Sequence, residues 1–236
     1  MTLRLYLDHP LGPGQAVSLP EGQAHYLANV MRRSPGEVIE LFNGRDGGWA
    51  ARITALTKRG GEAVAEAQVR PQRDPPDLWL CFAPIKKART DFIVEKAAEM
   101  GAARIIPVQT DHTNAERIRR DRLQAHAVEA AEQCGGTHVP EVADLLPLSQ
   151  LLDGLGSRRV LWADEAAAGP ATALAGLPRG PWAILIGPEG GFSQAERDTL
   201  RGRENVVRVS LGPRILRADT AAVAALALWQ AALGDW

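Results

Sequence analysis

The sequence predicts an α/β protein, a mainly parallel sheet preceded by a small domain of short strands. Three observations predict it. From Leu78 onward, short apolar runs alternate with helical stretches, the pattern of consecutive β–α–β units. Before residue 70 the runs are short and separated by turn residues, with one helix among them. Between the two patterns lies RPQRDPPD (Arg70–Asp77), which holds three prolines and four charges. Such a segment can neither continue a helix nor sit in a central strand, so it reads as a linker between 1–72 and 73–236.

In the N-terminal part, Glu37–Phe42 is a strand, NGRDGG a turn, and Trp49–Leu56 its hairpin partner. EAVAEAQVR follows as another strand, and a helix around Glu21–Arg33 interrupts them. A small β-barrel is the natural packing, because short strands closing on themselves hide their edges. After the linker, Leu78–Ala83 is a strand. Asp91–Met100 is a helix, with Phe92, Ala97 and Met100 near one face and Gly101 as its stop. Arg104–Gln109 is a strand whose Pro107 places it at an end or edge. Arg120–Cys134 is a helix ended by Gly135 and Gly136. RRVLWAD, WAILIG and NVVRVSL are three further strands. The final stretch, Ala221–Leu233, is apolar on nearly all helical faces, so it must be buried, and a subunit interface would bury it.

The composition bounds the function. At 236 residues the chain allows one large domain or two small ones. Its net charge of −1 creates no global field for nucleic acid, so any such binding must use a local basic patch. Cys81 and Cys134 are far apart with no CxxC partner, and His112, His126 and His138 lack metal-ligand spacing. No metal is expected, and a reducing cytoplasm fits. The N-terminus has no long apolar core, and the longest apolar run, Ala221–Leu228, is too short for a bilayer. No membrane partner is expected.

Two consecutive strands run into unusual loops. WAILIG continues into PEGG, and NVVRVSL into GPRILRAD. Glycine lets a backbone approach a ligand closely, and proline fixes loop shape. Ser193 and Glu196 form an S-x-x-E capping box, which makes Ser193 a cap rather than a nucleophile. Asp219 or Thr220 would cap the last helix. Either loop alone reads as a rigid β–α turn. Together, at the carboxyl ends of strands in one sheet, they point to a ligand cleft. Neither GxGxxG nor GxxxxGK(S/T) occurs, which argues against dinucleotide-binding and P-loop enzymes.

These residues carry a resemblance. LIGPEGGFS (185–193) followed by SLGPRILRADTA (210–221) resembles the C-terminal signature of the RsmE family, SPOUT-class methyltransferases of a uracil N3 in small-subunit ribosomal RNA. His25-Tyr26-Leu27 through Val30-Met31-Arg32, then Gly36-Glu37 and Phe42-Asn43-Gly44, resemble its N-terminal PUA-like RNA-binding domain. Asp91–Ala97, with Glu99 and Gly101, and Glu129–Gln133 are similar to its central segments. Two departures stand out. Cys134-Gly135-Gly136 replaces a common Ser-Gly-Arg, removing an arginine, and Ala218-Asp219-Thr220 replaces Thr-Glu-Thr.

The resemblance implies a trefoil knot over about 160–236 and a pocket for S-adenosylmethionine (AdoMet) made by three loops. The first would contribute Trp162, Ala163 and Glu165; the second Ile186, Gly187, Pro188, Glu189, Gly190 and Gly191. The third would contribute Leu211, Gly212, Ile215, Leu216, Arg217, Ala218, Thr220 and Ala221. Arg217 and Arg214 are the candidates for stabilising a uracil anion, with a phosphate or dimer contact as the alternative for Arg214. The general base is open between Glu189 and Asp219. The implied partners are 16S rRNA in the small ribosomal subunit and a second copy of the chain.

For RNA contacts, His25, Asn29, Arg32 and Arg33 share one helix at roughly helical spacing, as a phosphate grip or a solvated face. Lys86, Lys87 and Arg89 open a helix near a strand's carboxyl end. Arg117, Arg119, Arg120 and Arg122 are the densest basic cluster, with Glu116 and Asp121 interspersed; a solvated helix start or an rRNA contact would explain them. Two other functions stay open: a SPOUT enzyme acting on a ribose 2′-OH or another base, and a noncatalytic RNA-binding protein that kept the pocket shape.

Overall fold

The computed structural model describes residues 2–114, 117–167, 174 and 176–236; Glu116 lies outside the described residues. The chain forms two compact units, 1–74 with 131–139, and 75–130 with 140–236.

In the first unit five strands form one sheet in the order β1-β3-β4-β5-β2. They are β1 (Arg4–Tyr6), β2 (Ala16–Leu19), β3 (Val38–Phe42), β4 (Gly48–Thr57) and β5 (Gly60–Arg70). β1 runs parallel to β3, and the other pairs are antiparallel. Register shifts at three places along β4 and β5 bend this long pair around its core. Val17, Leu19, Ile39, Leu41 and Ile53 fill that core with Ala24 and Leu27 from the helical segment.

That segment departs from the sequence expectation of a helix to Arg33. α1 spans Glu21–His25 and widens into a π-type turn over Tyr26–Val30. Arg32 takes a left-handed conformation at φ 52°, and the Arg33 amide donates to the Leu27 carbonyl six residues back. This is Schellman geometry with arginine where glycine is usual. Arg32 and Arg33 therefore leave the face that carries His25 and Asn29, and the four-residue stripe is broken.

Residues 131–139 join the first unit through Arg4, whose side chain is 3% exposed. Its guanidinium donates to Glu40 (3.0 Å) and to the carbonyls of Ala131 (2.8 Å), Glu132 (3.0 Å) and Gly136 (2.6 Å). These carbonyls close the end of α3 (Arg120–Cys134), where a cation also complements the helix dipole. Gly135 at φ 82° turns the chain out of the helix.

The second unit is a seven-stranded, all-parallel sheet. Its strands are β6 (Leu78–Phe82), β7 (Arg104–Gln109), β8 (Glu141–Val142), β9 (Leu146–Pro147), β10 (Arg159–Ala163), β11 (Trp182–Ile186) and β12 (Val206–Val209). The order is β12-β10-β11-β6-β7-β8, with β9 also on β7. All five residues of β11 are buried, as a central parallel strand requires. β7 is covered on its outer side by two short strands. Arg104 and Ile105 pair with β8, and Val108 and Gln109 with β9. Pro107, which has no amide to donate, sits in the gap between them.

Helices complete the layers: α2 (Lys87–Glu99), α4 (Leu148–Gly154), α5 (Gln194–Arg201) and α6 (Ala218–Leu233), besides α3. α2 begins four residues before the expected Asp91. Its buried face is Thr90, Ile93, Val94 and Ala97, at i, i+3, i+4 and i+7, whereas Phe92 is 39% exposed. The expected apolar face through Phe92 was thus misplaced around the helix. α6 packs on α2 and β11. It starts at Ala218 with Arg217 in the capping position and no side-chain cap, so neither Asp219 nor Thr220 caps it. Asp219 lies in the first turn, where its charge still meets the helix dipole favourably.

Replacing Arg4 with Ala strands three carbonyls and leaves the buried Glu40 carboxylate with only the half-exposed Arg70 as ionic partner. Removing one partner of a buried pair costs about 3 kcal/mol or more. Urea denaturation of Arg4→Ala should show that loss; a change below about 1 kcal/mol would contradict this role.

Candidate active site

A parallel sheet offers ligands the space beyond its carboxyl ends, above all where strand order reverses. That reversal falls here among β10, β11 and β12. β11 inserts between β6 and β10, and β12 lands outside β10. The loops leaving these three strands enclose a cavity of about 260 Å³.

Each loop has a local reason for its shape. After β11, Gly187 lies under the Phe192 ring, where a β-carbon would sit 2.8 Å from a ring atom. Gly191, at φ 67°, makes the turn that an L side chain resists. Ser193 then caps α5: its hydroxyl accepts from the Glu196 amide, and Glu196 accepts from the Ser193 amide (2.8 Å). The Ser193 hydroxyl donates to Asp111, so it serves as a cap and crosslink.

One buried acid ties the three loops together. Asp164, 1% exposed, follows β10. Its Oδ2 accepts from Arg208 of β12 (2.7 and 3.0 Å), and its Oδ1 accepts from Arg197 of α5 (2.9 Å) and the Ala166 amide (3.1 Å). Arg197 also donates to Glu165. Burial pushes the Asp164 carboxyl upward, but the Arg208 hydrogen bonds, the Ala166 amide and the two guanidinium charges outweigh it and hold it below the usual aspartate range.

The structure brings most of the anticipated pocket residues to this cavity. Ala163 and Glu165 line it from the first loop. Ile186, Gly187, Pro188, Glu189, Gly190 and Gly191 line it from the second, and Leu211, Gly212, Ile215, Leu216, Ala218 and Ala221 from the third. Trp162, Arg217 and Thr220 do not. Trp162 is fully buried beneath the site, edge-on to Phe192 at 5.9 Å, and supports the loop from behind. Ala218 and Ala221 share the cavity face of α6, which turns Arg217 and Thr220, each one residue earlier, away to solvent. Arg214 lines the cavity.

Asp164 and Phe192 also line it, and the sequence reading missed both. An acid directly after a buried strand, and an aromatic directly after Pro-Glu-Gly-Gly, were the available signals. Ile215 is 87% exposed on the rim. An apolar side chain left so open suits a planar ligand that would cover it, and apolar walls with a few charged groups suit a cofactor-sized molecule.

Several of the predicted RNA-binding cations are spent elsewhere. Arg89 donates to Glu189 (2.5 Å) and lies 3.9 Å from Asp219, bracing the second loop against the start of α6. Both carboxylates considered as bases thus face one guanidinium. Arg120 donates to the Val142 carbonyl (2.7 Å), and Arg119 pairs with Asp121 and Arg122 with Asp91. Three of the four arginines are thus engaged, two of them with other elements, while Arg117 is exposed. Arg33 pairs with Glu37 (3.0 Å). Lys86 and Lys87, at the start of α2, are exposed, as are His25 and Arg32 in the first unit. Among the described residues no group of three or more His, Cys, Asp or Glu is arranged to hold a metal, and no helix is long and apolar enough to cross a membrane.

The depressed Asp164 pKa gives a signed prediction. Its contribution to stability is fully present above the ordinary aspartate value of about 3.9 and is lost as pH falls through the lower folded value. Asp164→Asn should cost about 3 kcal/mol at pH 7 in urea denaturation. The difference from wild type should shrink as pH drops below about 4. A pH-independent difference would contradict the paired carboxylate.

Residues 72–230 match an RNA methyltransferase domain family, and residues 19–66 an RNA methyltransferase PUA domain family. The crystal structure of a ribosomal RNA small subunit methyltransferase E from Neisseria gonorrhoeae, bound to S-adenosyl methionine, is 31% identical and superposes over 100% of both chains with a TM-score of 0.90. A Legionella pneumophila methyltransferase in complex with the same cofactor is 28% identical, again over 100% of both chains, with a TM-score of 0.88. The ribosomal RNA small subunit methyltransferase E of Rickettsia conorii is 28% identical, covering 95% of this chain and 93% of that protein. The chain belongs to the ribosomal RNA small subunit methyltransferase E family.

Proposed function

We propose that this protein methylates 16S rRNA with AdoMet as donor, at N3 of a specific uridine in the small ribosomal subunit. The observation that carries the reading is the cavity built from the ends of β10, β11 and β12 in a chain of this family. Leu211, Ile215 and Leu216 would cover the faces of the donor's adenine, and backbone groups of the three loops would read its edge. When bound, the donor supplies an electrophilic methyl on a cationic sulfur.

The protein's share of the chemistry concerns the acceptor. A neutral uracil N3 is a poor nucleophile because its lone pair is committed and it carries a proton. Alignment and proton removal are therefore both required. As the proton leaves, charge grows on O2 and O4, and a fixed cation there favours the anion. Both candidate arginines are exposed, but Arg214 lines the donor cavity and Arg217 does not, which favours Arg214 for this role. Arginine stays protonated, so it stabilises rather than deprotonates.

The same reading takes 1–72 as an RNA-binding domain and 73–236 as the methyltransferase domain, knotted over about 160–236. It places the enzyme in the cytoplasm as a homodimer. Half-buried Val223, Ala224, Ala227 and Leu228 on α6 supply apolar surface for the second copy. His25, Arg32, Lys86 and Lys87 are exposed and form no ion pair among the described residues, which leaves them available to phosphates.

Incubation with labelled AdoMet and unmodified small subunits should place the label in 3-methyluridine. Label in a 2′-O-methyl nucleoside or another base would overturn the N3 assignment. AdoMet binding without transfer would instead indicate a noncatalytic protein. Arg214→Ala should lower kcat by about 10²-fold or more, while Arg217→Ala stays near wild type; the reverse order would contradict the assignment.

A further inference from the structure

A second cavity, of about 310 Å³, adjoins the first and shares Pro188, Glu189 and Gly190 as a common wall. Its other walls come from the segment before α2 and the turn after β7: Ile85, Lys86, His112 and Asn114. Its lining mixes apolar groups (Pro84, Ile85, Pro188) with polar ones (Lys86, His112, Asn114, Glu189), a mixture that suits a small polar molecule. Resting on the N3 reading above, we propose that this cavity seats the acceptor uracil and that His112 is the general base that takes the N3 proton.

The imidazole's hydrogen bonds fix its tautomer. His112 Nδ1 lies 3.1 Å from the Gly190 carbonyl and 3.1 Å from the Gly191 carbonyl. Carbonyl oxygens only accept, so Nδ1 carries the hydrogen. In the neutral ring Nε2 then holds the lone pair, the form a base needs. The donor-binding loop therefore selects the tautomer of a histidine on the neighbouring cavity's wall.

The turn that presents His112 is held on both sides. Thr110 and Thr113 are buried and bonded to each other through amide and hydroxyl groups (2.8 to 3.0 Å). Asp111 accepts from the Ser193 hydroxyl and donates its amide to Glu196 (2.9 Å). A base fixed in this way meets the geometric demand of proton transfer. Among the described residues, the charged groups that adjoin His112 or share its cavity are Asp111, occupied by Ser193; Lys86; and Glu189, occupied by Arg89. Glu189 and Asp219, the carboxylates first considered, both face Arg89, and the Asp111 carboxylate accepts from Ser193, whereas His112 lines the second cavity with no ion pair among the described residues.

The step balances. Nε2 accepts the N3 proton, the N3 electron pair bonds the methyl carbon, and the carbon–sulfur bond breaks with its electrons remaining on sulfur. The sulfonium charge ends as an imidazolium charge, and the imidazolium returns its proton to water.

The test uses the full-length protein, labelled AdoMet and unmodified small subunits, with His112→Ala and His112→Asn. Asn keeps an N–H for the two glycine carbonyls but has no basic nitrogen. It should lose about 10² to 10⁴-fold in kcat and keep the wild-type Kd for AdoMet by calorimetry. The wild-type rate should rise with pH on an acid limb, and this limb should be absent in both variants. Added imidazole should restore part of the His112→Ala rate. Wild-type kcat in His112→Asn would overturn the proposal. So would a loss of rate matched by an equal loss of AdoMet affinity, since His112 would then only support the loop. If the wild-type enzyme itself labels a position other than N3, the N3 reading fails and this base assignment falls with it. If the wild type makes 3-methyluridine and His112→Asn does so equally well, only the base assignment fails.

Discussion

A carboxylate almost without solvent exposure must be compensated by its neighbours, because an unpaired buried charge costs several kcal/mol. Asp164 is compensated from two elements far apart in the chain, Arg197 on α5 and Arg208 on β12. Its own position, directly after β10, makes it the junction of three strand ends. The fork of each guanidinium fixes direction as well as distance. The loops that line the cavity are thus held before any ligand arrives, and less ordering remains to be done on binding. Arg208 also lies 5.5 Å from the Trp162 ring, and Trp162 supports Phe192, so the ionic junction and the aromatic packing under the site are one assembly.

The loop after β11 is where the two cavities meet. On one side it offers Gly187–Gly191 to the donor cavity; on the other, Pro188–Gly190 faces His112 and Lys86. A methyl transfer needs donor and acceptor in line, and the shared wall of Pro188, Glu189 and Gly190 lets both approach one stretch of backbone. Arg89 serves this arrangement structurally. It fastens Glu189 and stands near Asp219, which joins the loop to α2 and α6. A cation that looked from its position like an RNA contact is instead part of the frame.

Much of this was legible in the sequence because it is written in local signals. The bounds of α3, the Ser193 capping box and the three strands before the loops follow from apolar periodicity and stop residues. The two loops announced themselves through glycine and proline. Asp164 did not, because its partners lie 33 and 44 positions away and side-chain pairing at such separations leaves no periodic trace. Arg120 and Arg122 read as open charge for the same reason: the Val142 carbonyl and Asp91 that occupy them are distant in sequence. The rotation of α6 was missed because a helix of nearly uniform alanine, valine and leucine carries too little contrast to show which residue faces the site. The π-type turn after α1 is invisible to a 3.6-residue pattern. The resemblance to the family supplied the cofactor and the reaction, which neither composition nor periodicity could name.

The central claim is that three loops, braced through Asp164, form one donor cavity. Hydrogen exchange of the full-length protein with and without AdoMet tests it most directly. Added protection should be confined to the segments 163–165, 186–192 and 211–221. Protection concentrated elsewhere, or on only one of the three loops, would contradict the account.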